Sequence, residues 1–124
     1  MEIEGKVTTG LGKGAYFISQ EFYCKKIFNS CGFVPFPGTL NIIVPDSYLN
    51  EINKLKESCI NVIQADEGFG GLKYIKAILN NQVTGAIVFP EKTIHEVNYL
   101  EFIAKKNLRE ELNLKDDDKV ILKF

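Results

Sequence analysis

Nowhere does the chain carry an apolar run near the roughly 18 residues that a membrane-spanning helix requires. The start, Met1-Glu2-Ile3-Glu4-Gly5-Lys6-Val7, has neither the basic beginning nor the apolar stretch of a secretory signal. A membrane partner is therefore not expected, and a cytoplasmic location is. Charge of one sign is also missing: 15 Lys and Arg stand against 16 Asp and Glu, a net charge of −1. That balance argues against binding nucleic acid through a broad basic surface. Cysteine is scarce and odd in number. Cys24, Cys31 and Cys59 match no zinc or redox spacing, and they read as free thiols of a reducing compartment. Histidine occurs once, at His95, so no transition-metal site can be assembled from it. A lone histidine is more often a hydrogen-bonded loop residue than a catalyst. Repeats, low-complexity tracts and linkers are absent too. The 124 residues, 45% of them hydrophobic, form one domain, 1–124, with a core large enough to fold without a staple.

What is there is a succession of short segments. Glu2 to Thr9 alternate apolar and polar, as in a half-buried strand. Ser19 is placed to cap a helix from about Gln20 to Ser30, with Gly32 just past its end. A strand from Thr39 to Val44 follows a proline-rich turn. Pro45-Asp46-Ser47 then caps a second helix bearing Tyr48, Leu49, Ile52 and Leu55 at helical spacing. Strands are expected at Cys59–Gln64, Leu72–Leu79 and Val83–Phe89. Gly68, Gly70 and Gly71 separate the first two, and an Asn80-Asn81-Gln82 hairpin turn separates the second and third. Val97–Ala104 is another strand, Asn107–Leu112 a short helix, and Asp116-Asp117-Asp118 a turn into a closing strand, Lys119–Phe124. Many short strands and few helices predict a closed or nearly closed β-barrel, because parallel crossover units need regularly interleaved helices.

Three groups of residues are equipped for chemistry. In Pro37-Gly38-Thr39-Leu40-Asn41 the strand period puts Thr39 and Asn41 on one face and Leu40 on the other. A stiff turn then presents a hydroxyl beside a carboxamide. These are hard, neutral oxygen donors of the kind that suit Mg²⁺ when phosphates bring the negative charge; the same residues also serve simply to satisfy a Pro-Gly turn. Gly10-Leu11-Gly12-Lys13-Gly14-Ala15 lets successive backbone N–H groups converge on an anion, with Lys13 adding charge, but it also fits a flexible hairpin. It matches neither dinucleotide fingerprint nor P-loop. The third group is Thr93, His95 and Glu101, followed by Lys105, Lys106, Asn107, Leu108 and Arg109. Glu101, between Leu100 and Phe102, faces away from both. It is either a buried carboxylate in need of a partner, if that side is the barrel interior, or a solvated outward residue. Cations beside helix-terminal N–H groups make a phosphate site, or else an ordinary solvated helix start.

Taken in order, "GKVTTGLGKGAYF", "GFVPFPGTLN", "PEKTIHEVNYLEFIA" and "NLREELNLKDDDKV" closely resemble the archaeal CTP-dependent riboflavin kinases over almost the whole chain. The resemblance implies a mainly β fold, a six-stranded cradle-loop β-barrel with a few short helices. It implies transfer of the γ-phosphoryl group of CTP to the 5′-hydroxyl of riboflavin, giving FMN and CDP, with Mg²⁺ as cofactor; apart from that, no nucleic-acid or membrane partner is expected, and the chain is expected to be a monomer. Residue by residue it implies that Gly10, Leu11, Gly12, Lys13, Gly14 and Ala15 hold the nucleotide together with Lys106, Asn107, Leu108 and Arg109. Thr39 and Asn41 would ligate the metal at the mouth of the barrel, Thr93 and Glu101 would contact the flavin, and Glu101 would be the base or hydroxyl orienter. Some members of that family carry a winged-helix domain ahead of the barrel; none is expected here. The chain departs from the family pattern at Lys13, often Glu in relatives, at Lys105, often Pro, and at Asp117, where a D-G-D turn has glycine. A flavin carrier without turnover and a DNA-binding cradle-loop barrel are the rival readings.

Overall fold

The strand β1 (Glu2–Thr8) turns Ile3, Gly5 and Val7 to the buried side and Glu2, Glu4 and Lys6 outward, as its alternation dictates. The structure is a computed structural model and describes residues 2–9, 21–59, 61–63, 71–90 and 98–124. After β1 come α1 (Glu21–Cys31), β2 (Leu40–Ile43), a 3₁₀ turn (Asp46–Tyr48) and α2 (Leu49–Ser58). Then follow β3 (Val62–Ile63), β4 (Leu72–Leu79), β5 (Val83–Pro90), β6 (Tyr99–Ala104), α3 (Leu108–Glu111) and β7 (Lys119–Lys123).

Six strands close a ring. In order, β1 pairs with β2, β2 with β6, β6 with β5, β5 with β4, β4 with β7 and β7 with β1, all antiparallel. The expected mainly β, six-stranded barrel with short helices is what forms. β3 is an extra strand on the first part of β4, paired at Val62↔Lys73 and Ile63↔Leu72, while β7 takes only the far end at Ile78 and Leu79. Closure removes the unpaired edges that an open sheet would leave.

Two apolar layers follow from this wrapping. Inside the barrel lie Ile3, Val7, Leu40, Ile42, Leu79, Ile87, Leu100, Phe102, Val120 and Leu122. Outside, Tyr23 and Ile27 of α1 cover Leu72, Tyr74, Ala86, Val88 and Ile103 of β4, β5 and β6. Strands β5 and β6 are therefore buried on both faces, which is why "GAIV" and "LEFIA" read as runs rather than alternations. The barrel closes tightly at Gly85, where a Cβ would overlap the Ile103 carbonyl and come within 2.6 Å of Phe102 Cζ.

Most predicted elements recur within a residue or two, and the Leu72–Leu79 bounds are unchanged. Asn80 and Asn81 make the hairpin at φ 50° and 56°, which asparagine tolerates better than most side chains. Three expectations need correction. Asp46 and Ser47 do not cap α2: its N-cap is Tyr48, with no side-chain cap bond. The 3₁₀ turn leads into the helix instead, through Tyr48 N–H donating to the Pro45 carbonyl at 3.0 Å. The strand expected from Cys59 begins only at Val62: α2 ends at Ser58 as expected and Cys59 is extended, but pairing with β4 starts at Val62. The short helix starts at Leu108, with Asn107 as its cap, accepting from Glu110 N–H at 3.4 Å. The expected cap at Ser19 lies outside the described residues.

Candidate active site

The turn before β2 is set by Gly38, which takes φ 149° in a region open chiefly to glycine. Phe36 N–H donates to the Ala104 carbonyl at 2.8 Å and ties the turn to the end of β6. In β2 the side chains of Leu40 and Ile42 enter the barrel, so Asn41 points out and falls directly opposite Glu101 of β6. Thr39 Oγ1 donates to Glu101 Oε1 at 3.5 Å, across 62 positions of sequence. Asn41 Nδ2 donates to the Thr39 carbonyl at 3.4 Å, which occupies the NH₂ end of the amide and leaves its oxygen end as the one suited to a cation. The hydroxyl and the carboxamide thus both flank the Glu101 carboxylate. They sit on the outer wall near one end of the barrel rather than inside its mouth.

Glu101 resolves the two sequence readings in a third way. It faces outward, on the side of Val88 and Ile103, yet it is only 7% exposed because that wall carries the second apolar layer. It is the buried acid among the described residues. Burying a carboxylate is costly without hydrogen bonds, and the Thr39 hydroxyl supplies one.

A small cleft of about 60 Å³ joins this group to the cationic one. Its lining includes Phe36, Gly38, Thr39, Lys106, Leu108 and Arg109. Lys106 is exposed and pairs with Glu111 at 3.4 Å. Leu108 sends its side chain into the barrel core, so it can meet a ligand only through its backbone. A roomier cleft of about 660 Å³ lies between β1 and the Pro45–Tyr48 segment and holds none of the residues singled out from the sequence. Convergence of Thr39, Lys106 and Arg109, not volume, makes the smaller one the candidate site.

Arg109 is held in a manner not foreseen. Its Nη2 donates to Asp116 Oδ1 at 2.7 Å and to the Thr8 carbonyl at 3.2 Å, while Thr9 Oγ1 donates to Asp116 Oδ2 at 2.7 Å. The Arg109 and Thr9 hydrogen bonds hold the Asp116 carboxyl below the usual carboxylate range. Sequence reasoning took Asp116 for part of a turn, since a contact between positions 9 and 116 leaves no local signal. The cysteines are free and half-buried. Burial pushes the Cys31 thiol up against the pull of Lys76, which makes it a poor nucleophile. Gly10–Ala15, Thr93 and His95 lie outside the described residues.

The family described as CTP-dependent riboflavin kinase (domain of unknown function DUF120) matches residues 7–124. The chain belongs to the archaeal CTP-dependent riboflavin kinase family. It is 64% identical over 124 residues to a riboflavin kinase of Methanobrevibacter smithii, covering all of both chains. To one from Methanothermobacter thermautotrophicus it is 47% identical over 114 residues, 92% of this chain and 91% of the other. To one from Saccharolobus solfataricus it is 39% identical over 127 residues, 98% of this chain and 73% of the other.

Against the kinase family pattern, the departure at Asp117 has a structural consequence. The residue takes φ 75°, where a Cβ is strained and glycine is not. Asp117 N–H still donates to the Val7 carbonyl at 2.7 Å, so the turn keeps its shape at a cost. Asp117→Gly is expected to stabilise the fold by about 0.5–1 kcal/mol, a rise of a few degrees in Tm by calorimetry, with unchanged kinetics. A lower Tm would show that the aspartate is not strained there.

Proposed function

We propose that this chain is a riboflavin kinase that transfers the γ-phosphoryl group of CTP to the 5′-hydroxyl of riboflavin, giving FMN and CDP. The observation that carries the reading is the β2–β6 register, which sets Asn41 opposite Glu101 and brings the Thr39 hydroxyl to 3.5 Å from it, at the edge of a cleft lined by Lys106 and Arg109. Family membership supports it.

Phosphoryl transfer demands positioning and charge compensation more than covalent help from the protein. The donor set fits Mg²⁺: Thr39 Oγ1 and the Asn41 carboxamide oxygen are neutral hard ligands, completed by phosphate oxygens. Held there, Mg²⁺ would supply neutralisation of the phosphate charge. Arg109 and Lys106 bind phosphate oxygens, Arg109 through its planar fork. Glu101 Oε1 orients the riboflavin 5′-hydroxyl and takes its proton as the oxygen bonds to the γ-phosphorus and the bond to the β-phosphate oxygen breaks, releasing CDP. The Glu101 carboxylate is sheltered from bulk water by its wall, so its charge acts undiluted. Gly10 to Ala15 would cradle the nucleotide and Thr93 the flavin. CTP is favoured over ATP through polar groups that a wrong base would leave unpaired.

Incubating the protein with riboflavin, Mg²⁺ and each of CTP, ATP, GTP and UTP tests this. FMN is expected with CTP above the others. FMN formed best with ATP would overturn the donor, and riboflavin binding without FMN from any nucleotide would establish a flavin carrier instead. A gel shift with duplex DNA at moderate salt would reveal the DNA-binding alternative.

A further inference from the structure

Asp116 is outside every set assigned above to nucleotide, metal or flavin, yet it divides its two carboxylate oxygens between Arg109 and the end of β1. One oxygen holds Arg109, whose guanidinium lines the cleft beside Thr39. The other holds Thr9, the residue immediately before the Gly10–Ala15 run. The backbone repeats the link: Val7 N–H donates to the Asp118 carbonyl at 2.9 Å, and Asp117 N–H donates back to the Val7 carbonyl at 2.7 Å. The end of β1, the 116–118 turn and Arg109 therefore form one clamp.

We propose that Asp116 is a positioning residue of the nucleotide site, fixing Arg109 against the end of β1 in the orientation that meets the polyphosphate; this rests on the kinase reading above. Stability does not account for the arrangement. The Arg109 and Asp116 side chains are 39% and 50% exposed, and ion pairs that open to solvent contribute little to folding. Simple electrostatics does not account for it either. A carboxylate next to a polyphosphate site repels the ligand, so an aspartate there is useful only for what it orients. Arginine binds phosphate through a planar fork whose direction matters, and here Nη2 is anchored by Asp116 and Thr8, which sets the plane of the remaining N–H groups.

The two views predict opposite signs. If Asp116 were a bystander charge, Asp116→Asn would tighten nucleotide binding. As a positioning residue, its loss weakens CDP by roughly 10-fold, the scale of losing one hydrogen bond to a charged group. Calorimetric titration with CDP reads this directly, and the matching kinetic signature is a raised KM for CTP with kcat at saturating CTP and KM for riboflavin preserved. Thr9→Val is expected to act in the same direction. The double variant is expected to bind CDP about as weakly as Asp116→Asn alone, because both remove one linkage. Asn80→Ala is the structural control: at the β4–β5 hairpin, outside the clamp, Asn80 Oδ1 accepts Ile121 N–H at 2.8 Å, so its loss lowers Tm without changing CDP affinity. Unchanged or tighter CDP binding in Asp116→Asn overturns the proposal, as does a weakening that Asn80→Ala matches. Wild-type protein that binds CDP but makes no FMN overturns the kinase reading alone; protein that binds no CDP overturns both.

Discussion

Glu101→Gln is expected to lower kcat by ~10²–10⁴-fold, the range that a positioned general base contributes, while KM for riboflavin and for CTP stays near the wild-type value. Glutamine keeps the size and a carbonyl oxygen for the Thr39 hydroxyl, which lies 3.5 Å from Glu101 Oε1. It gives up the charge and the ability to take a proton. The site is only 7% exposed, so water cannot easily replace the lost base. A neutral side chain is cheaper to bury there than a carboxylate, so the melting temperature is not expected to fall. Steady-state kinetics with both substrates varied decides the role. A rise in riboflavin KM with kcat intact would make Glu101 a flavin contact and take it out of proton transfer.

Thr39→Ala and Asn41→Ala are each expected to raise the Mg²⁺ concentration needed for half-maximal turnover by at least ~10–100-fold, since loss of even one supporting contact of a metal site costs that much. Both side chains are half-buried on the outer wall, outside the barrel core, so their truncation leaves the fold standing; a circular dichroism melt is expected to match wild type for Asn41→Ala and to fall by a few degrees for Thr39→Ala, which takes a hydrogen bond from the buried Glu101. Thr39→Ala also removes the hydroxyl that donates to Glu101 and is expected to be the more damaging in kcat. A Mg²⁺ titration of FMN formation at fixed CTP reads both. If neither variant changes the metal requirement, Thr39 and Asn41 are not the ligands.

Sequence periodicity was enough for much of this. The β4–β5 hairpin was legible because Asn80 and Asn81 tolerate positive φ between two apolar runs. The shared face of Thr39 and Asn41 was legible because a strand has period two. The cap of α2 was not, because a 3₁₀ turn that satisfies its own backbone groups through Pro45 leaves no side-chain signature. The end of the helix at Ser58 was legible, but the start of β3 was not: Cys59 is extended, yet pairing with β4 begins only at Val62.

From the order of residues alone came the barrel, the sidedness of each strand and the oxygen donors and cations worth watching, because all of these depend on neighbours within a few positions. The fold had to decide the rest. Alternation assigns Glu101 to the wall opposite Leu100 and Phe102, but only the packing of α1 and the outer apolar layer makes that wall dry. Likewise the tether of Thr9 and Arg109 to Asp116 exists because β1 and β7 lie side by side once the ring has closed. What covers a face, and which distant side chains meet on it, is settled by contacts between segments far apart in the chain, and no local pattern encodes those.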